Sequence, residues 1–126
     1  MCGITGILLT DRNATIDTER LTAMRDSMVH RGPDDAGLFV SNNIGFAHRR
    51  LSIVGLSTGH QPMSNADESL WIVFNGEIYN YPTLRKALEG KGCVFRTQSD
   101  TEVIIHLYPE YGKDCVQHMN GMFAFA

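Results

Sequence analysis

Aliphatic and β-branched residues crowd positions 4–10, and this run predicts a buried strand. Asp11-Arg12-Asn13 then predicts a turn. Asp17 stands where a helix N-cap belongs, and Leu21, Met24 and Met28 follow at i, i+3 and i+7. That spacing predicts a helix over 18–29 with one apolar face. His30-Arg31-Gly32-Pro33-Asp34 should break it, because Gly32 can take positive φ and Pro33 disfavours the α region before it. Residues 36–40 and 44–49 flank Asn42-Asn43, and asparagine tolerates the left-handed conformation of tight turns, so a hairpin is expected. Residues 55–68 are rich in Gly, Ser, Asn and Asp and predict a loop. A strand is expected over 70–74, closed by an Asn75-Gly76 turn.

Pro82 suits the first turn of a helix running to about Glu89, and residues 93–96 predict a short strand. Asp100 is placed to cap a helix over 101–108, with Val103, Ile104 and Leu107 inward. Pro109 lacks the amide that would extend that helix, which predicts a kink or stop. A second short helix is expected over 113–118 and a strand over 122–126. An apolar strand in that last place would leave an open sheet edge, so these residues are expected to be the front part of a longer domain.

The 126 residues suit one domain, and 43% hydrophobic against 20% charged residues excludes wholesale disorder. A net charge of −3 gives no overall cationic field, so neither nucleic acid nor an anionic membrane is an expected partner. No apolar run is long enough to span a bilayer and no signal peptide opens the chain, which points to the cytoplasm. Cys2, Cys93 and Cys115 are odd in number and lack a C-x-x-C pair, so neither a disulfide framework nor zinc is expected. His30, His48, His60, His106 and His118 show no metal-ligand spacing, and no metal site is expected. His30 and His48 are read as structural neighbours of a site, and His106 as a helix-face residue. No glycine-rich phosphate loop is present.

With the initiator Met1 removed, Cys2 would carry both a thiol and a free α-amine. Such groups ordinarily titrate near about 8.5 and about 7.7–8.0, so the amine can take the thiol proton and return it to a leaving amine. From position alone, Cys2 reads more simply as a small residue at a frayed terminus. Gly3 and Gly6 change that balance, because they permit close backbone approach where a nucleophile must be anchored. The Asn75 carboxamide and the Gly76 N–H suit an oxyanion hole, although an ordinary Asn-Gly turn is the blander alternative. Arg50 offers a planar fork for a carboxylate, and Arg49 beside it should face the other way by strand alternation. Either arginine alone reads as a surface charge, and Asp100 alone as a cap. Taken together, an Arg for a carboxylate and an Asp for an ammonium would recognise a free α-amino acid.

The segments Met1-Cys2-Gly3-Ile4, His30-Arg31-Gly32-Pro33-Asp34, Arg50-Leu51-Ser52-Ile53-Val54, Asn75-Gly76-Glu77-Ile78-Tyr79-Asn80, Ser99-Asp100-Thr101-Glu102-Val103 and Gly121-Met122-Phe123-Ala124-Phe125-Ala126 occur in this order. In this the whole chain resembles class II glutamine amidotransferases, most closely the N-terminal glutaminase domain of glutamine-hydrolysing asparagine synthetases. The resemblance implies an α+β fold of the N-terminal nucleophile (Ntn) hydrolase type, a four-layer α/β/β/α sandwich. Residues 1–126 would be a glutaminase domain truncated at its C-terminal end. It further implies that Cys2 attacks the glutamine carboxamide, that Asn75 and Gly76 hold the oxyanion, and that Arg50 binds the substrate carboxylate. Glu77 and Asp100 would surround the α-ammonium, and Leu51, Ser52 and the backbone of Ile53 and Val54 would line the remaining wall. No cofactor is implied for these residues. ATP and Mg²⁺ are expected in a C-terminal synthetase domain of the same chain, which would use the ammonia to make asparagine from aspartate. A homodimer is left open. Two alternatives stand beside this expectation: an amidotransferase that aminates another acceptor, and a non-catalytic interaction module.

Overall fold

The computed structural model describes residues 2–52 and 59–126. β1 (Gly3–Leu8) pairs with a hairpin of β2 (Asp35–Ser41) and β3 (Ile44–Arg50), giving an antiparallel sheet in the order β1-β3-β2. Asn42 turns the hairpin at φ 49°, as expected of an asparagine there. The register sets Gly3 against Arg49 and Asp35 against Arg50, so the start of β1 lies beside the end of β3. Alternation then sends the two arginines to opposite faces: Arg49 pairs with Asp26 at 3.1 Å on the helix side, and Arg50 faces away from it.

α1 (Thr18–Asp26) covers the outer face of this sheet, with Leu21 buried against Ile16 and Ala47. Asp17 caps it, accepting from the Arg20 amide at 3.0 Å. The helix ends at Asp26, short of the expected residue 29. Met28 lies past its end and presses on the start of β1, where a Cβ on Gly3 would stand 3.1 Å from the Met28 sulfur.

A second layer of strands lies on the other side. β4 (Met63–Ser64) pairs with β5 (Trp71–Ile72), and β6 (Phe74–Ile78) pairs with β7 (Gly121–Phe125), both antiparallel. α2 (Tyr81–Gly90) and α3 (Thr101–Tyr111) close the sandwich. Val103, Ile104, Ile105 and Leu107 of α3 are buried with Met63, Ile72, Phe74 and Ile78. Each such aliphatic side chain contributes about 1.5–3 kcal/mol relative to exposure. The two strand layers meet where Phe39 stacks on Trp71, centroids 4.1 Å apart, and where His48 reaches the Phe74 carbonyl. Helix, sheet, sheet and helix are the four layers the resemblance implies.

Four local expectations are corrected. Asn75-Gly76 is not a turn but the middle of β6, with Asn75 opposite Ala124 and Gly76 opposite Phe123. Glycine is needed there because β7 comes too close for a side chain: a Cβ would stand 2.2 Å from the Met122 carbonyl oxygen. Residues 93–96 form no strand. The Arg96 and Thr97 amides bond instead to the buried Glu102 carboxylate, each at 2.8 Å. Pro109 lies inside α3, and the helix ends two residues later at Tyr111, before Gly112, whose φ of 56° turns the chain. A 3₁₀ helix (Gly112–His118) follows, where the second short helix is expected. Gly32 does not use a positive φ; it is small because a Cβ would lie 2.4 Å from the Arg49 carbonyl carbon. No helix among the described residues is long and apolar enough to cross a membrane.

Candidate active site

Cys2 leads into β1 and Leu51 leaves β3, and the register of those strands brings the two together across 49 positions of sequence. The Leu51 N–H donates to the Cys2 sulfur at 3.4 Å, and the Leu51 carbonyl lies 3.9 Å from it. Arg31 Nε donates to the Cys2 carbonyl at 3.2 Å. The segment 30–34 therefore acts as a clasp: Asp34 donates its amide to the Arg50 carbonyl at 3.0 Å and accepts from the Ser52 amide at 2.7 Å. One loop thus fixes both Cys2 and the residues that follow β3.

A cavity of about 430 Å³ opens over the sulfur, within the usual range for small-molecule sites. Cys2, Arg50, Leu51, Asn75, Gly76, Glu77 and Asp100 all line it. Antiparallel pairing sends alternate amides of an edge strand away from its partner. On β6 those amides belong to Phe74, Gly76 and Ile78. The Phe74 amide bonds to Gln61 Oε1 at 2.6 Å and the Ile78 amide to Asp100 Oδ2 at 2.9 Å. The Gly76 N–H, midway between them, faces the cavity with no acceptor among the described residues. The Asn75 carboxamide likewise bonds to no other described residue. Two donors are therefore available at one place, the requirement for holding a developing oxyanion.

Asp100 holds the N-cap position of α3, but its side chain does not cap the helix. Ser99 does so instead, its Oγ accepting from the Thr101 amide at 3.3 Å. Asp100 is thereby free to turn to β6 and the cavity. Burial pushes its carboxyl above the usual carboxylate range, against the lowering pull of the Ile78 amide, and the nearby Glu77 charge pushes the same way as burial. A buried anion of this kind gains from a cationic ligand. The Arg50 guanidinium lies under Gly59, where a Cβ would stand 3.2 Å from Nη2 and 3.4 Å from Ser99 Cβ. Gly59, at φ 96°, lets the chain pass over the guanidinium.

Of the residues singled out from sequence, Cys2, Arg50, Leu51, Asn75, Gly76, Glu77 and Asp100 are gathered on one wall system. Ser52 lies behind it, engaged through its amide with Asp34. Ile53 and Val54 fall outside the described residues. Sequence reasoning missed Gln61, Gly59 and Ser99, which also line the cavity. The one signal for Gln61 is a long polar side chain directly before Pro62 in a stretch that otherwise predicts a loop. Among the described residues, no three His, Cys, Asp or Glu side chains are grouped to hold a metal ion.

Helix-sheet-sheet-helix layering, with the first strand opening directly after Cys2, is the fold of the N-terminal nucleophile hydrolase class. Within it the sequence matches the glutamine amidotransferase domain family over residues 1–126, and the chain belongs to that family. It is 48% identical to asparagine synthetase [glutamine-hydrolyzing] 1 of Bacillus subtilis, over 99% of this chain and 20% of that protein. It is 42% identical to asparagine synthetase [glutamine-hydrolyzing] 1 of Arabidopsis thaliana, over 99% of this chain and 21% of that protein. The chain thus spans about one fifth of the length of these curated relatives. Among solved structures, the glutamine phosphoribosylpyrophosphate amidotransferase of B. subtilis, complexed with ADP and GMP, superposes with a TM-score of 0.76. That likeness, at 24% identity over 99% of this chain and 34% of the other, shows the shared fold.

Proposed function

We propose that residues 1–126 are the glutaminase part of a longer amidotransferase, hydrolysing glutamine to glutamate and ammonia for the ATP-dependent synthesis of asparagine from aspartate. The observation that carries this reading is the Gly76 N–H and the Cys2 sulfur facing one cavity that Arg50 and Asp100 also line. Arg50 takes the substrate α-carboxylate in its fork, and Asp100, with Glu77, takes the α-ammonium. The side-chain carboxamide then extends toward Cys2. The α-amine exposed by loss of Met1 accepts the thiol proton, and the sulfur bonds to the amide carbon. The carbonyl π pair becomes an oxyanion, held by the Asn75 Nδ2–H and the Gly76 N–H. Collapse re-forms the carbonyl and breaks the C–N bond, and the α-ammonium returns its proton to the leaving nitrogen, which departs as ammonia. Water, deprotonated by the same amine, adds to the thioester carbon; the carbonyl re-forms as the C–S bond breaks, the α-ammonium returns the proton to the Cys2 sulfur, and glutamate leaves.

The synthetase part, with its ATP and Mg²⁺, lies on this reading in the same polypeptide, and the protein works in the cytoplasm. Acid quenching of the full-length protein during turnover should trap a γ-glutamyl thioester on the peptide that begins with Cys2. A mature terminus that still carries Met1 would remove the proposed base and overturn the mechanism.

The ammonium subsite has its own expected outcome. Asp100→Asn keeps an acceptor for the Ile78 amide but removes the anion, and charge-assisted hydrogen bonds contribute about 1.5–3 kcal/mol. The KM for glutamine should rise about ten- to a hundredfold with a smaller change in kcat. In the unsubstituted protein KM should climb as pH falls through the raised Asp100 pKa, since protonation removes the same charge. A KM unchanged in the variant would reject the role.

A further inference from the structure

Phe74 immediately precedes Asn75, and both of its backbone polar groups are taken by side chains. Its N–H bonds to Gln61 Oε1 at 2.6 Å, and its carbonyl accepts from His48 Nε2 at 3.2 Å. His48 is 1% exposed and Gln61 6%. Burying two such groups is costly unless each is paired, so their partners fix their place closely. The Gln61 carboxamide reaches further, its Nε2 donating to Thr101 Oγ1 at 3.4 Å. Thr101 opens α3 directly after Asp100. The cavity edge of β6 is thus pinned at Phe74 by Gln61 and at Ile78 by Asp100, with the Gly76 N–H between the two pins.

We propose that Gln61 is a positioning residue for the oxyanion hole, which with His48 fixes the height of β6 and ties it to the helix that presents Asp100. The proposal rests on the glutaminase reading above and adds a residue that touches no reacting atom. An oxyanion donor must stand about 2.7–3.1 Å from the oxygen as its charge develops, and a displacement of about 1 Å can cost a factor of about 100. Loosening the Phe74 pin moves the Asn75 and Gly76 donors while leaving Arg50 and the Asp100 carboxylate to bind the amino-acid end. The loss therefore falls on kcat and spares KM.

The test uses the full-length protein and Gln61→Met, which keeps the volume and removes both hydrogen bonds. Glutamate release from glutamine should lose about ten- to a hundredfold in kcat, with KM within about twofold. A glutamine analogue with an aldehyde in place of the carboxamide reports on the hole directly. The Cys2 thiolate bonds to its aldehyde carbon, the C=O π pair becomes the oxyanion and nothing leaves, so its inhibition should weaken in step with kcat. Gln61→Glu keeps an acceptor for Phe74 and should recover most of the rate. Should Gln61→Met fail to fold, Thr101→Val removes only the second anchor, and a several-fold loss of kcat at constant KM is expected. Unchanged kcat and aldehyde inhibition in Gln61→Met, or no recovery in Gln61→Glu, would overturn the proposal, as would unchanged kcat in Thr101→Val. A wild-type protein that releases no glutamate would instead overturn the glutaminase reading, and this proposal with it.

Discussion

In the full-length protein, Cys2→Ala should end glutamine-dependent release of glutamate, with kcat lower by a factor on the order of 10⁴–10⁶. Removing the sulfur leaves the α-amine, Arg50, Asp100 and the Gly76 N–H where they are, so the loss isolates the nucleophile. Glutamine should still bind, because Arg50 and Asp100, proposed to grip its amino-acid end, line the same cavity and are left unchanged. Nitrogen supplied as free ammonia bypasses the site, so ammonia-dependent product formation by the synthetase part should persist. That second measurement separates loss of chemistry from loss of folding. Glutamate release at the wild-type rate would show that the thiolate is not the attacking group.

On the proposed mechanism no histidine or aspartate is needed beside the sulfur. A terminal residue carries its own base, and what the fold must add is placement. Arg31 and the Leu51 amide hold Cys2 from two sides, and the register of β1 against β3 sets where Arg50 emerges. His30-Arg31-Gly32-Pro33-Asp34 is a clasp, which accounts for its appearance as a motif although none of its side chains lines the cavity. Asn80 is similar: its carboxamide bonds to the His118 carbonyl and the Asn120 amide, and so aligns the ends of β6 and β7.

Much of this was legible in the chain because local chemistry and tertiary structure agree. Asp17 caps α1, Asn42 turns its hairpin, and Arg49 and Arg50 alternate as a strand requires. Misreadings arose where a tertiary or neighbouring side-chain contact overrode the composition of the segment. Asn75-Gly76 carries the composition of a turn, yet β7 approaches so closely that glycine is required inside a strand. Residues 93–96 carry strand composition, but Glu102 captures the amides that a neighbouring strand would have used. Asp100 carries the pattern of a cap, and the neighbouring Ser99 takes over that task. Gln61 had no periodicity to reveal it, since its partners Phe74 and Thr101 lie 13 and 40 positions away. The Gly76 and Gln61 misses depend on contacts at long sequence range, and those at 93–96 and Asp100 on which nearby side chain takes the amides.

The second large expected effect concerns acid. Burial pushes the pKa of His48 down to about 4, against the raising influence of the Phe74 carbonyl it bonds. That carbonyl can only accept, so Nε2 carries the proton and the ring is neutral in the folded protein. Asp35 faces the ring with a raising influence, and Arg50 and His60 with a lowering one. Unfolded, the same imidazole titrates near 6.5. Between these values the unfolded chain binds the extra proton, so stability rises with pH across the window and is lost as pH falls from 6.5 toward 4. The full shift corresponds to about 3 kcal/mol, a large part of a typical folding free energy. Asp35 and Glu102, whose carboxyls are held below their usual range by hydrogen bonds that outweigh burial, lose their contributions at lower pH, below their ordinary values of 3.8 and 4.5. Asp100 acts in the opposite sense, because protonation relieves its burial. His48→Gln keeps an N–H near the Phe74 carbonyl and removes the titration. Hydrogen exchange of β3 and β6 amides in the full-length protein, compared between the two forms, cancels the intrinsic pH dependence of exchange. Protection in the wild type should fall steeply from pH 6.5 to 4.5, while the variant changes little. Parallel curves would mean that His48 is already protonated in the folded state, and would break the link between this buried ring and the strand that carries Asn75 and Gly76.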